Sequence, residues 1–244
     1  MDVENKVAIV TGASSGTGLA TARLLSQRGA KLALVARSRD RLEELARELP
    51  DSLVDPADMT KADEVEAMVE RAQEHFGRID ILINNAGRGY DAPVESIRVD
   101  TFRYIFDLTV IGPVVAMQHV IPLMRAQGGG AIVNVSSALA LMNIPNMSPY
   151  SCLKRALAEL SKTAREELGG DNIAVSVVYP YITLTNFEKN TIKHGIPQPP
   201  PGEEEPTGPR PPDNAEFVAG IVLGGIESGE AEIFAHDWMK NLGR

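Results

Sequence analysis

Apolar residues fall in short, evenly spaced runs, each followed by a stretch of helical periodicity. Residues 7–10 (Val-Ala-Ile-Val) make the first run, and a helical pattern follows from Leu19 to a stop at Gly29. Further runs lie at 31–36, 52–55, 79–83, 131–135, 173–178 and 231–235. Short apolar runs bounded by glycine and polar turns predict strands buried on both faces. Between them, apolar positions three and four apart predict helices over 39–49, 61–76, 95–127, 150–168 and 216–227. The 95–127 pattern is broken by Gly112-Pro113 and Pro122. Strand and helix alternating in this way predict an α/β fold, a doubly wound parallel sheet with helices on both faces. Right-handed crossovers make the strand order 3-2-1-4-5-6. Local signals place the ends: Thr60 as cap of the helix over 61–76, Ser148 as N-cap with Pro149 at the first helical position, and Gly169-Gly170 as a left-handed stop.

Composition narrows the class. A chain of 244 residues suits one α/β domain, 1–244, and 43% hydrophobic with 23% charged residues is an ordinary soluble composition. A net charge of −9 excludes nucleic acid as an expected partner and gives no polybasic membrane contact. No apolar run approaches the ~18–20 residues that span a bilayer, and the polar start, Met1 to Lys6, leads straight into a strand with no signal peptide. The single cysteine, Cys152, fits a packing role and a reducing, cytoplasmic setting. Residues 197–212 hold eight of the sixteen prolines together with Glu203-Glu204-Glu205. That stretch is neither core helix nor central strand, so 186–214 is expected to be a lid-like excursion within the domain. No internal repeat and no metal site is expected.

Four groups of residues carry candidate chemistry. Thr11-Gly12-Ala-Ser14-Ser15-Gly16-Thr17-Gly18 follows the first strand and opens a helix. That arrangement aims unpaired backbone N–H groups at an anion, although a ligand-free glycine turn would have the same composition. After the second strand comes Ala36-Arg37, where a fold binding NAD would place a carboxylate for the ribose 2′-hydroxyl. A guanidinium there suits a 2′-phosphate; it equally suits a surface cluster with Arg39 and Arg41. Asp58 is placed either to accept the adenine amino group or to cap the next helix. Asn84-Asn85-Ala86-Gly87 lies at the end of the fourth strand, in a ligand crevice or in a simple Asn/Gly turn. Tyr150 and Lys154 sit one helical turn apart, where an ammonium would lower the pKa of a phenol and make a tunable acid–base pair. A half-buried tyrosine beside a snorkelling lysine is the plain alternative.

Taken together and in this order, the glycine loop, Asn84 to Gly87, Ser137 and Tyr150-x3-Lys154 resemble the short-chain dehydrogenase/reductase family, over nearly all of residues 6–235. The resemblance implies a single Rossmann-type domain of about seven strands, order 3-2-1-4-5-6-7, binding NAD(P)H and transferring hydride between nicotinamide and a carbonyl or alcohol carbon. Tyr150 would be the general acid/base, Ser137 would bind the substrate oxygen with Ser136 as helper, and Lys154 would lower the Tyr150 pKa and hold the ribose. Cofactor contacts are implied at Gly12, Ser14, Ser15, Gly16, Thr17, Gly18, Arg37, Ser38, Asp58, Met59, Asn85, Ala86, Gly87, Tyr150, Lys154, Pro180, Thr183 and Thr185, with NADP(H) preferred. A homodimer or homotetramer through the helices 95–127 and 150–168 is implied as well.

Two positions depart from the family pattern. Thr109-Val-Ile-Gly112 stands where members carry Asn-x2-Gly, whose asparagine helps hold a water in the proton relay, and Pro180-Tyr181 stands for Pro-Gly. Tyr181 would narrow the pocket, stack on substrate or turn away. Leu139, Tyr181 and Phe187, among others, would line the pocket with Ser137 and Tyr150, pointing to a small, mostly uncharged substrate. The leading expectation is an NADPH-dependent carbonyl reductase. A non-catalytic NADP(H) sensor and an NADP-dependent epimerase or dehydratase with His194 as extra acid–base are the alternatives.

Overall fold

The computed structural model describes residues 1–196 and 210–242. In chain order the elements are β1 (Val7–Thr11), α1 (Gly16–Gln27), β2 (Lys31–Ala36), α2 (Arg39–Glu48), β3 (Ser52–Pro56), α3 (Ala62–Phe76), β4 (Ile81–Asn84), β5 (Tyr90–Asp91), α4 (Val99–Phe106), α5 (Gly112–Gln127), β6 (Gly130–Val135), α6 (Ser148–Leu168), β7 (Ile173–Tyr179), α7 (Phe187–Asn190), β8 (Ile192–Lys193), α8 (Ala215–Ser228) and β9 (Glu232–Phe234). Seven strands form one parallel sheet in the order β3-β2-β1-β4-β6-β7-β9. Counting the sheet strands alone, this is the expected 3-2-1-4-5-6-7. The chain reverses direction of travel between β1 and β4, and that switch point opens the crevice where such sheets bind ligands.

Strands β1, β4 and β6 are buried along their whole length. Each is clad on both faces, which explains their unbroken apolar runs. One face packs Leu25 of α1, Leu42 and Leu45 of α2 and Val222 of α8 against Val10, Leu34 and Val133. The other packs Val65 and Met68 of α3 and Val120 and Met124 of α5 against Ile9, Leu82 and Ile132.

Several local expectations are corrected. The 95–127 pattern is one unbroken helix from Val99 to Gln127, because a π-turn at Asp107–Ile111 joins α4 to α5. There Gly112 N–H donates to the Asp107 carbonyl, five residues back. The wider turn accommodates Pro113, whose ring would press on the carbonyl of Thr109 in a regular α-helix. With that break removed, this helix is long and apolar enough to cross a membrane; half of its most apolar window is buried inside the fold. Thr60 does not cap α3: Lys61 is the flanking residue, and the Thr60 hydroxyl donates to Asp58 Oδ1 instead. Met147, not Ser148, precedes α6, and the Ser148 hydroxyl is buried with no hydrogen-bond partner among the described residues. Gly169 continues in right-handed conformation, and Asn172 takes the left-handed one (φ 55°). The fourth strand begins at Ile81 rather than Ile79, although the Asp80 backbone N–H still donates to Val7 O and its carbonyl accepts from Ala131 N. Of the proline-rich segment, residues 197–209 lie outside those described. Its described flanks meet: Asp213 N donates to Ile182 O, and Leu184 N donates to Asp213 O, both at 2.8 Å.

Asp80 closes the bottom of the sheet, accepting from Val7 N at 3.0 Å and from Arg78. Burial pushes its carboxyl up, but the Arg78 and Val7 donors and the Arg78 charge outweigh this and hold it below the usual carboxylate range. A depressed carboxyl stabilises the fold above its unfolded pKa of about 4 and loses that contribution as pH falls through the folded value. Asp80→Asn is therefore expected to cost about 2 kcal/mol at pH 7 and progressively less below about pH 4, measured by urea unfolding.

Candidate active site

Parallel strands bring their C-terminal ends to one edge, and the residues singled out in the sequence collect there. At the end of β1, Thr11 is the keystone. Its hydroxyl donates to Ile83 O and accepts from Asn85 N and Ala86 N, at 2.9–3.1 Å. Asn85 Nδ2 returns a bond to Thr11 O at 2.9 Å, so the glycine loop and the Asn84–Gly87 turn form one rigid wall. Thr11 carried only a motif position in the sequence; a buried threonine after an apolar run is its sole signal.

Two glycines are required by that wall. Gly12 has φ +72°, and a Cβ on Gly18 would lie 2.2 Å from Gly12 O. Helix α1 starts after Ser15 with no side-chain cap and no acidic residue in its first turn. Its N–H groups are left to an external acceptor. Ser14, Ser15, Gly16 and Thr17 are all half-buried along this mouth. Gly16 faces the segment after β7, where its Cβ would touch the Thr185 methyl at 3.1 Å.

On the adenosine side, Arg37 is exposed at the end of β2, and its Nη1 donates to the Tyr104 hydroxyl at 3.1 Å. Ser38 precedes α2 without a side-chain cap. Asp58 Oδ1 accepts from both Thr60 N and Thr60 Oγ1, tying its own loop. Met59 is buried, with its carbonyl packed where a Cβ on Gly112 would sit.

Helix α6 lays Tyr150, Leu153, Lys154, Leu157, Ala158 and Ser161 along one buried face. Tyr150 and Lys154 thus point into the crevice as their spacing predicts. Lys154 Nζ donates to Val135 O at 2.7 Å and lies 5.8 Å from the centroid of the Tyr150 ring. A Cβ on Gly87 would lie 3.5 Å from that ammonium, so the Asn84–Gly87 turn reaches Lys154. Ser137, at the end of β6, lies against the Tyr150 phenol and accepts from Leu139 N at 3.2 Å. Ser136 Oγ donates to Lys154 O at 2.9 Å, so it grips α6.

The electrostatics differ from the expectation that Lys154 lowers the Tyr150 pKa. Burial pushes the phenol up, against a lowering contact from Ser137, and the Asp91 charge adds to the rise. Burial pushes Lys154 down to about 8. Removal from water is the largest cause of both shifts.

The remaining candidates are placed as follows. Thr109 sits in the π-turn, fully buried, and its hydroxyl has no hydrogen-bond partner among the described residues. Pro180 O accepts from Ala138 N at 2.8 Å. Tyr181 turns away from the crevice and packs edge-on against Trp238 and His236, with ring centroids 5.4 and 6.2 Å apart. Thr183 Oγ1 donates to Tyr181 O, and Thr185 Oγ1 accepts from Phe187 N. Phe187 lies edge-on to Tyr150 at 5.6 Å, and Leu139 is half-buried nearby on the turn after Ser137. His194 directly follows β8 of the small β5–β8 sheet, which no local pattern announces, and is held by the Tyr90 hydroxyl at 3.1 Å. Among the described residues, no three His, Cys, Asp or Glu side chains are placed to hold a metal ion.

This combination defines a class: a glycine-rich β1–α1 mouth joined to a buried Tyr and Lys and a half-buried Ser at the sheet edge. The sequence profile of the short chain dehydrogenase family matches residues 6–195. The chain belongs to that family. It is 38% identical over 190 residues to an uncharacterised oxidoreductase of Staphylococcus saprophyticus, covering 76% of this chain and 77% of the other. Its fold superposes on the L-sorbose reductase of Gluconobacter frateurii solved with NADPH and L-sorbose. The TM-score is 0.84 at 30% identity, covering 96% of this chain and 97% of that one. It also superposes on a 3-ketoacyl-(acyl-carrier-protein) reductase of Brucella melitensis solved with NADH. There the TM-score is 0.83 at 26% identity, covering 96% and 98%. The protein is an oxidoreductase of the short-chain dehydrogenase/reductase type, using a nicotinamide cofactor on a small-molecule substrate.

Proposed function

We propose that this protein is an NADPH-dependent reductase of small, mostly uncharged carbonyl compounds, with Tyr150 as the proton donor. The observation that carries this reading is the cluster of buried Tyr150 and Lys154 with half-buried Ser137 beside Gly87. When bound, the nicotinamide supplies the hydride. The nucleotide fits the residues present: an uncapped, acid-free α1 N-terminus for pyrophosphate, glycines at Gly12 and Gly18 where a side chain would collide with the wall, and a cationic Arg37 at the adenosine end. Asn85, Ala86 and Gly87 would border the ribose, and Thr183 and Thr185 the far end.

Ser137 orients the substrate oxygen, and Tyr150 gives it a proton. A phenol that burial holds above its ordinary pKa is protonated at neutral pH, the form that a proton donor needs. Lys154 supplies the charge that stabilises the phenolate left behind. Thr109, whose buried hydroxyl has no hydrogen-bond partner among the described residues, takes the place of the family asparagine in the proton relay. Phe187 and Leu139 exclude water above the phenol. Phe106 and Ile111 on the long helix and Leu160 on α6 are exposed apolar residues that support pairing of copies into a dimer or tetramer.

NADPH and NADH oxidation followed at 340 nm over a panel of ketones, aldehydes and quinones tests the activity. Arg37→Ala is expected to weaken NADPH about tenfold or more while sparing NADH; equal losses would contradict the 2′-phosphate role. The pH profile of kcat/KM for the nucleotide reports groups of the free enzyme. Lys154 is charged below about 8 and neutral above, so reduction is expected to decline above that pH. A flat profile to pH 9 would remove the ammonium from the mechanism.

A further inference from the structure

Among the described residues the guanidinium groups around β2 and α2 fall into two sets, those held in ion pairs and those, Arg37, Arg41 and Arg47, that make none. Arg23 pairs with Glu48, Arg39 with Glu43, and Arg71 with Asp55. Among the described residues Arg37 makes no ion pair, in a chain whose net charge is −9. The partner recorded for it is a neutral acceptor, the Tyr104 hydroxyl, reached across 67 positions of sequence. Tyr104 belongs to α4, so the bond ties that helix to the end of β2. Its ring is half-buried and packs against the cluster of Tyr90, Ile105, Val110 and Leu153. The phenol oxygen is therefore fixed in space by apolar packing, while the arginine it holds is exposed.

The chemistry of this contact matters. A carboxylate at Tyr104 would orient Arg37 equally well but neutralise it and repel an anion. A phenol accepts one of five guanidinium N–H bonds and leaves the full positive charge and the other donors for a ligand. An exposed arginine otherwise gives up much rotamer freedom when it grips an anion, and a fixed neutral acceptor meets part of that cost in advance. The phenol also carries a proton of its own, which can be donated to a phosphate oxygen.

We propose that Tyr104 is a positioning residue for the nucleotide, holding Arg37 ready for the ribose 2′-phosphate, so that cofactor discrimination depends on α4 as well as on β2. This rests on the NADPH preference proposed above. The sequence offered no pointer to it, since Tyr104 lies in a helix read only for its apolar face.

The test is calorimetric binding of 2′,5′-ADP and of 5′-AMP to the full chain. It compares the natural protein with Tyr104→Phe and Arg37→Ala, each checked for an unchanged thermal midpoint. Tyr104→Phe keeps the packed ring and removes only the hydroxyl. It is expected to weaken 2′,5′-ADP about fivefold and leave 5′-AMP unchanged, whereas Arg37→Ala removes the discrimination between the two. Equal weakening of both ligands by Tyr104→Phe, or no weakening of either while Arg37→Ala acts as expected, would overturn the role of Tyr104 and leave that of Arg37 standing. Should Arg37→Ala leave 2′,5′-ADP binding intact, the NADPH preference itself falls, and the role of Tyr104 with it.

Discussion

Tyr150→Phe is expected to lower kcat for carbonyl reduction by about 10²–10⁴-fold while changing nucleotide affinity by no more than about twofold. The substitution removes one oxygen. The ring keeps its place on the buried face of α6 and its edge contact with Phe187, so the packing that shapes the crevice survives. What is lost is the phenol proton beside Ser137, at the point where the carbonyl oxygen would gain charge. Ser137 then remains as a donor, but its hydroxyl is a far weaker acid, and that accounts for the residual rate. Stopped-flow measurement of reduced-nucleotide oxidation separates the chemical step from binding. Full turnover in the variant would show that another group, or water, protonates the product.

Gly18→Ala is expected to damage both stability and nucleotide binding. The added carbon would lie 2.2 Å from Gly12 O, 2.5 Å from Asn85 Nδ2 and 2.7 Å from Gly12 C. These atoms are mostly backbone and cannot swing aside. Either α1 moves away from the sheet or the glycine loop shifts, and each outcome breaks the Thr11–Asn85 wall. Overpacking of this kind costs about 1–3 kcal/mol, and the displaced α1 N-terminus no longer aims its N–H groups at one point. A lower thermal midpoint together with a nucleotide Kd raised more than about tenfold is expected. Natural affinity in a folded Gly18→Ala protein would show that the loop is not the pyrophosphate site. Gly77 offers the control, since nothing lies within 4 Å of a Cβ there, although its φ of +75° keeps it a strained site for alanine.

The parts of the fold that were legible are those whose sequence pattern is dictated by burial. Strands clad on both faces must be apolar throughout, so β1, β2, β4, β6 and β7 announced themselves, and their order followed from the handedness of the crossovers. The face-sharing of Tyr150 and Lys154 followed from helical spacing alone. Features set by long-range contact were not legible. The π-turn at Asp107–Ile111 rescues a helix that Gly112-Pro113 would otherwise break, and no local signal distinguishes the two outcomes. The β5–β8 pairing joins residues about a hundred positions apart with two residues on each side. The direction of Tyr181 depended on Trp238 and His236, which come from the end of the chain. The Tyr150 pKa was misjudged because spacing reveals a nearby charge but not the depth of burial that outweighs it.

The central claim is that Tyr150, Ser137 and Lys154 line a site where a carbonyl carbon receives hydride from a nicotinamide. The most direct measurement uses NADPH carrying deuterium at the transferable position of C4, with a ketone that the protein turns over, and locates the label by mass spectrometry and NMR. One deuterium on the carbinol carbon of a single alcohol enantiomer is the expected result. Label released to water, or a racemic alcohol, would contradict a substrate held between those side chains and the cofactor.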